Sequence, residues 1–443
     1  MSKRRLTKGL LAETTVRNMI YHSVKSCMRE SRFNALEGRL QRFLIEAENP
    51  AYDRGKAGSN ENLRRLWAEI DRKQTRLQDM VFGELSGGLT DITKEKLKVM
   101  GDEHLRVPQT IARAGNDKLP PSVLMVNMSS SLMCPSYYLG MCTIKNGACY
   151  AQRGENQHTN SVLPNRWQTD LMHTQMLQQY SKGNREPMRE YFRLIEMYIQ
   201  LGNAYAANLA RQDIEDIEGR RGAPMSEAEK RIIYELHNKY KISDVRLNET
   251  GDFHCQLAVD LWAKFARKIK QKYGISTHAY TARGLDFSEA SKDITVNASH
   301  KGINTGDGPS RKFLVVSDEK YDSLVGGDQV KNRQPILGKN ESGYFYKCPC
   351  VTKQSKCDRC GVCFAPNLTG KDYTIYVKYH GLTAANGFKS LFTKQEVEKT
   401  MERLRKNGWV TDDEYERYQS PGQQERLDKT SKKILTQRAK YKL

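Results

Sequence analysis

Apolar positions in this chain change period along its length. In the first 80 residues, Leu10, Leu11, Val16, Ile20, Val24 and Met28 recur at helical spacing. Asn49-Pro50 onward reads as a loop, and a second helix is expected from about Asn62 to Gly83. Residues 87–118 read as irregular or short-helical. Pro120-Pro121 then introduces the compact apolar run Ser122–Met128, which predicts a buried strand. From about Asn165 to Lys239 the pattern is helical again. Trp167, Leu171, Met172, Met176 and Leu177 form one stripe, and Tyr191, Leu194, Ile195 and Tyr198 belong to another. The charged stretch Arg211–Arg221 reads as a solvated insertion, with a helix resuming at Ser226.

Beyond residue 240 short strands alternate with helical segments. Strands are expected at 244–250, 275–281, 293–299, 312–317, 344–346 and 374–379. An amphipathic helix with Leu257, Val259, Leu261, Trp262, Phe265 and Ile269 follows the first of these and stops at Gly274. This alternation predicts an α/β fold, an irregular or partial TIM-like (β/α) barrel, with an open doubly wound sheet as the alternative. It lies between a helical basic N-terminal region (1–118) and a basic helical C-terminal tail (382–443). The barrel-like domain, 119–381, includes a Cys-rich element at 347–381.

Composition narrows the function. The 443 residues carry a formal charge of +20, with 28% charged residues and a mean hydropathy of -0.72. No apolar run reaches the length of a membrane span, so no membrane partner is expected. The basic start, Met1–Arg5, has no apolar stretch after it, and the reading is a cytoplasmic protein. The charge calls for a polyanionic partner, most simply nucleic acid, the alternative being a basic membrane-surface protein, which the N-terminal helix fits only weakly. No GxGxxG or GxxxxGK[ST] follows a strand, so nothing marks a dinucleotide or P-loop site.

Five of the ten cysteines fall in Lys347–Cys363, as CxC and then CxxCxxC. Such spacing in a chain without a secretory signal points to metal rather than disulfides. Cys348, Cys357, Cys360 and Cys363 are the expected zinc ligands, with Cys350 and His380 in reserve. An iron–sulfur cluster is the rival cofactor. Cys134, Cys142 and Cys149 form a second group, which could hold metal or lie buried.

In a parallel barrel the chemistry collects where strands end. Arg246-Leu-Asn248-Glu249-Thr-Gly251-Asp252-Phe-His254 places Glu249, Asp252 and His254 between a strand and a helix as catalytic candidates. Gly251 is expected to turn Asp252 into the cavity, the alternative being that Asp252 caps the next helix. Other strand ends offer Asn127, Ser129, Tyr280, Asn297 and Ser299 as substrate contacts, joined by Arg246 and Arg153.

Cys149-Tyr-Ala, Arg246…Gly251-Asp252-Phe, Tyr280-Thr281, Asn297-x-Ser299 and Cys348-Pro…Cys357-x-x-Cys360-x-x-Cys363…His380 together resemble a phage family. These are the DpdA-type DNA guanine transglycosylases, paralogues of tRNA-guanine transglycosylase. The resemblance covers roughly Ser122 to Gly381. It implies exchange of guanine in DNA for a 7-deazaguanine base, a zinc site bracing the barrel and an aspartate nucleophile, here Asp252. In a phage-encoded protein the location would be the host cytoplasm. Two readings of other classes stand beside it. One is a radical-type iron–sulfur enzyme using Cys134, Cys142 and Cys149, and the other is a non-catalytic zinc-containing nucleic-acid-binding protein.

Overall fold

A computed structural model describes residues 60–82, 111–115, 119–126, 128, 134–139, 162–299, 311–324, 336–340, 343–348, 357, 362–364, 372–378 and 393–441. The helix expected over residues 10–28 lies outside them.

The strands are β1 (Ala112–Ala114), β2 (Val123–Val126), β3 (Asp244–Leu247), β4 (Ser276–Thr281), β5 (Thr295–Ala298), β6 (Arg311–Val316), β7 (Ile336–Asn340), β8 (Gly343–Lys347) and β9 (Tyr373–Lys378). They form one mixed sheet in the order β1-β2-β3-β4-β5-β6-β9-β8-β7. Neighbours from β3 through β6 to β9 and β8 are parallel, and β7 and β8 pair as an antiparallel hairpin. The α/β class is thus established. Chain order matches sheet order from β1 to β6, without the central reversal that marks a doubly wound sheet. β1 and β7 are strands where none was expected.

Helices α1 (Glu61–Phe82), α2 (Pro135–Tyr138) and α3 (Val162–Ser181) precede the long α4 (Glu186–Arg221) and α5 (Glu227–His237). The supposed insertion at Arg211–Arg221 is the last three turns of α4, a correction with a simple cause. Its charges are paired rather than irregular, with Arg220 on Asp216 and Arg221 on Glu229 across the turn to α5. Ile214, Ala210 and Ile233 keep a buried stripe beneath them. Ser226 closes a capping box with Glu229 at the start of α5. Among the described residues there are two compact units, the smaller including residues 199–242 and the larger most of the sheet.

α6 (Gln256–Tyr273) carries the amphipathic stripe expected of it and ends at Gly274, whose φ of 68° is the left-handed cap that glycine tolerates. Its Trp262 and Phe265 pack on Phe192 of α4, with ring centroids 5.1 and 4.8 Å away. After the short α7 (Asp318–Ser323), the chain ends in α8 (Lys394–Lys406), α9 (Asp412–Gln419) and α10 (Pro421–Tyr441). The expected tail is helical, but α9 is anchored rather than trailing: Glu414 and Tyr418 are buried, as is Trp409 just before it. No helix among the described residues is long and apolar enough to cross a membrane.

Candidate functional site

Side chains alternate across a sheet, and register fixes which of them share a face. Arg246 pairs with His278, His278 with Thr295, and Tyr280 with Asn297. Asp244, Arg246, His278, Tyr280 and Asn297 therefore occupy one face of β3–β5, while Val245, Leu247, Ala279, Val296 and Ala298 occupy the other. The polar face extends to Arg311 and Phe313 on β6 and Tyr373 on β9. Phe313 meets Tyr280 edge-on at 4.8 Å, and the Arg311 guanidinium lies 5.3 Å from the Tyr373 ring centroid.

Arg246 lies over Tyr280, 4.7 Å from guanidinium to ring centroid. Burial works against its charge, but Tyr280, Glu249, Cys357 and Cys363 outweigh that and hold its pKa above the ordinary value. Burial, aided by the neighbouring Cys363, pushes the Tyr280 phenol well up, against the opposing charge of Arg246. Asn297 is fully buried. Its Nδ2 donates to the carbonyls of Ala279 (3.3 Å) and Cys363 (3.2 Å), and Oδ1 has no hydrogen-bond partner among the described residues.

Part of the Cys-rich segment lies on this face. Phe364 packs on His278 at 4.8 Å, and Arg311 donates to the Val362 carbonyl. Cys348 and Cys363 both pack against the cluster of Tyr346, Val362, Tyr373, Ile375 and Val377. Cys357 and Cys363 both lie in the electrostatic reach of Arg246. Thiols are soft donors suited to zinc. Among the described residues no group of three or more His, Cys, Asp or Glu is placed to hold a metal ion. Cys350, Cys360 and His380 lie outside the described residues, as do Cys142 and Cys149. Cys134 is half-buried just before α2.

The three catalytic candidates after β3 separate. Asn248 (φ 53°) and Gly251 (φ 78°) are both left-handed, a conformation that asparagine and glycine tolerate best. After the second turn Asp252 meets Thr281, which alternates with Tyr280 along β4 and so belongs to the other face of the sheet. There its carboxylate is buried and accepts four hydrogen bonds. Oδ1 receives Thr281 Oγ1 (2.6 Å) and the Phe253 N–H (2.8 Å), and Oδ2 receives Ser136 Oγ (2.5 Å) and the Ala282 N–H (2.8 Å). Burial raises its pKa, against those bonds and the charge of Arg283. Nor does it cap α6, whose N-cap is Cys255. Asp252 ties α2, the end of β4 and its own loop together.

His254 joins the helices: its Nε2 meets Asp170 at 3.2 Å and its Nδ1 meets His173 at 3.3 Å, all three buried. Glu249 alone of the three stays half-exposed at the end of β3, close enough to Arg246 to act on its charge. Ser299 is bound through its N–H to the Thr281 carbonyl at 2.7 Å. Asn127, Ser129 and Arg153 lie outside the described residues.

Two pairs escaped the sequence reading. Asp244 bonds His278 Nδ1 across β3 and β4. Arg283 meets Glu414, far along the chain. The first had a signal, since Asp-Val-Arg-Leu and Ser-Thr-His-Ala-Tyr put polar side chains at alternate positions. The second had half of one, since Thr411-x-x-Glu414 is a capping box. No protein-family model, no curated protein and no solved structure matches this chain.

Proposed function

We propose that this protein exchanges a base in nucleic acid, replacing guanine in DNA by a 7-deazaguanine, on a partial (β/α) barrel whose polar face is that of β3–β5. The observation that carries the reading is the register placing Arg246, Tyr280 and Asn297 side by side on one face, with Glu249 at the strand end. A guanidinium is suited to the acceptor edge of guanine. Asn297, with its amide nitrogen already engaged, offers Oδ1 to a base N–H. The formal charge of +20 supports a DNA backbone as partner. The nucleotide must leave the stack to reach such a face.

Glu249, rather than Asp252, takes the role of nucleophile in this reading. Its carboxylate forms a bond to C1′ of the sugar as the bond from C1′ to guanine breaks. The incoming base then attacks C1′ and releases the carboxylate. Asp252, with every acceptor position taken, orients the loop that carries Glu249. Zinc held by Cys348, Cys357, Cys360 and Cys363 would brace the segment that covers the polar face, and thiolates supply the soft donors it takes. Nucleoside analysis of DNA from cells expressing the protein tests the reading. A deazaguanine nucleoside that disappears with Glu249→Gln is expected. Unmodified DNA, with the deazaguanine precursor present, would overturn it.

A further inference from the structure

His278 sits in specific surroundings. The ring is fully buried at the middle of β4, on the polar face. Nδ1 bonds Asp244 on the neighbouring strand, while Nε2 is buried without a hydrogen-bond partner among the described residues. A carboxylate on one ring nitrogen fixes the proton there and leaves the other nitrogen to exchange protons with a ligand. The charged and titratable groups around it are Asp244, Arg246 in register across β3, and Tyr280 two residues along. Phe364 covers the ring from the Cys-rich segment. Asp244 Oδ2, Arg246 Nε and Asn297 Oδ1, on the same face, are also buried without hydrogen-bond partners among the described residues. A protein seldom leaves several such atoms together unless something polar fits among them.

We infer that the Asp244–His278 pair is the proton carrier of the base exchange. The inference rests on the base-exchange reading and adds the acid–base group that Glu249 alone cannot provide. At the start His278 is an imidazolium, its Nδ1–H held by Asp244. As the bond between C1′ and guanine breaks and the bond from C1′ to the Glu249 oxygen forms, the Nε2 proton passes to a ring nitrogen of the departing guanine. Guanine leaves neutral, and His278 is left neutral. The incoming base then gives its ring N–H proton to Nε2 as its nitrogen attacks C1′ and the Glu249 carboxylate leaves. The cycle returns both residues to their starting forms. For Nε2 to meet the base, Phe364, which packs on the ring, must move aside.

The test compares two leaving bases in duplex DNA, guanine and 8-azaguanine. The 8-azaguanine anion is the more stable and departs with little help from an acid. In the wild-type chain both bases are released. In His278→Asn, release of guanine is expected to fall about a hundredfold or more, the scale of a lost general acid, with 8-azaguanine release nearly unchanged. Asp244→Asn, which keeps side-chain volume, should show the same selective loss and serves if His278→Asn does not fold. Equal losses on both bases, or no loss on guanine, would overturn the inference while the exchange reading stands. A wild-type chain that releases neither base overturns the exchange reading, and this inference with it.

Discussion

Arg283 and Glu414, 131 positions apart, form a fully buried bidentate pair, Nε to Oε1 at 2.7 Å and Nη2 to Oε2 at 2.9 Å. The remaining guanidinium hydrogens go to the carbonyls of Phe253, His254 and Trp409, at 2.5, 2.8 and 2.8 Å. Glu414 also accepts from the N–H groups of Gly284 (2.9 Å) and Thr411 (3.2 Å). Every donor and acceptor is used, which is what makes a buried charge pair tolerable. The pair fastens α9 to the loop after β4 and, through the Phe253 and His254 carbonyls, to the loop that precedes α6.

Breaking that pair strands a buried charge. Glu414→Ala is expected to cost about 3–5 kcal/mol, read from urea unfolding of the full chain. Arg283→Met combined with Glu414→Leu should cost less than the sum of the single changes. Strict additivity would show that the two residues do not act as a unit.

Glu414 also sets a pH response. Burial pushes its pKa up, but the bonds and charge of Arg283, with the Thr411 and Gly284 N–H groups, bring it below the ordinary 4.5. A depressed carboxylate contributes stability that is complete above its unfolded value and lost as pH falls through its folded value. The stability gap between wild type and Glu414→Gln should therefore be full above about 4.5 and narrow in more acid solution. A gap that widens toward acid contradicts the assignment.

Glu249 and Asp252 should separate chemistry from architecture. Glu249→Gln, at a half-exposed position, is expected to change stability by no more than about 0.5 kcal/mol and to abolish base exchange. Asp252→Ala leaves four donors unmet and should cost about 3 kcal/mol or more. Full exchange by Glu249→Gln would remove that residue from the chemistry.

The Cys-rich segment predicts zinc without iron, by elemental analysis of the purified chain. Cys363→Ser should lower the zinc content and loosen the cover over His278, visible as faster proteolysis within the segment. Iron with acid-labile sulfide would instead favour the cluster alternative.

Much of the architecture was legible because period and burial agree. The alternation of β3 and β4 and the stripe of α6 with its terminal Gly274 belong to single segments, so each appears in the sequence. β1 and β7 were hidden, since three- and five-residue strands carry too few positions to show a period. The site was half legible. Arg246, Tyr280 and Asn297 belong to short strands whose alternation puts them on one face, whereas the direction of Asp252 is not local. That direction depends on two consecutive left-handed turns at Asn248 and Gly251 and on Ser136 and Thr281, none of which a local pattern specifies. Arg283 and Glu414 were invisible as partners because only the fold brings them together.

Incorporation of labelled guanine into duplex DNA by the purified chain, wild type against Glu249→Gln, tests the central claim most directly. Label entering the DNA with the wild type and none with the variant is the predicted result. No incorporation by a folded, metal-loaded wild-type chain, or equal incorporation by the variant, would contradict it.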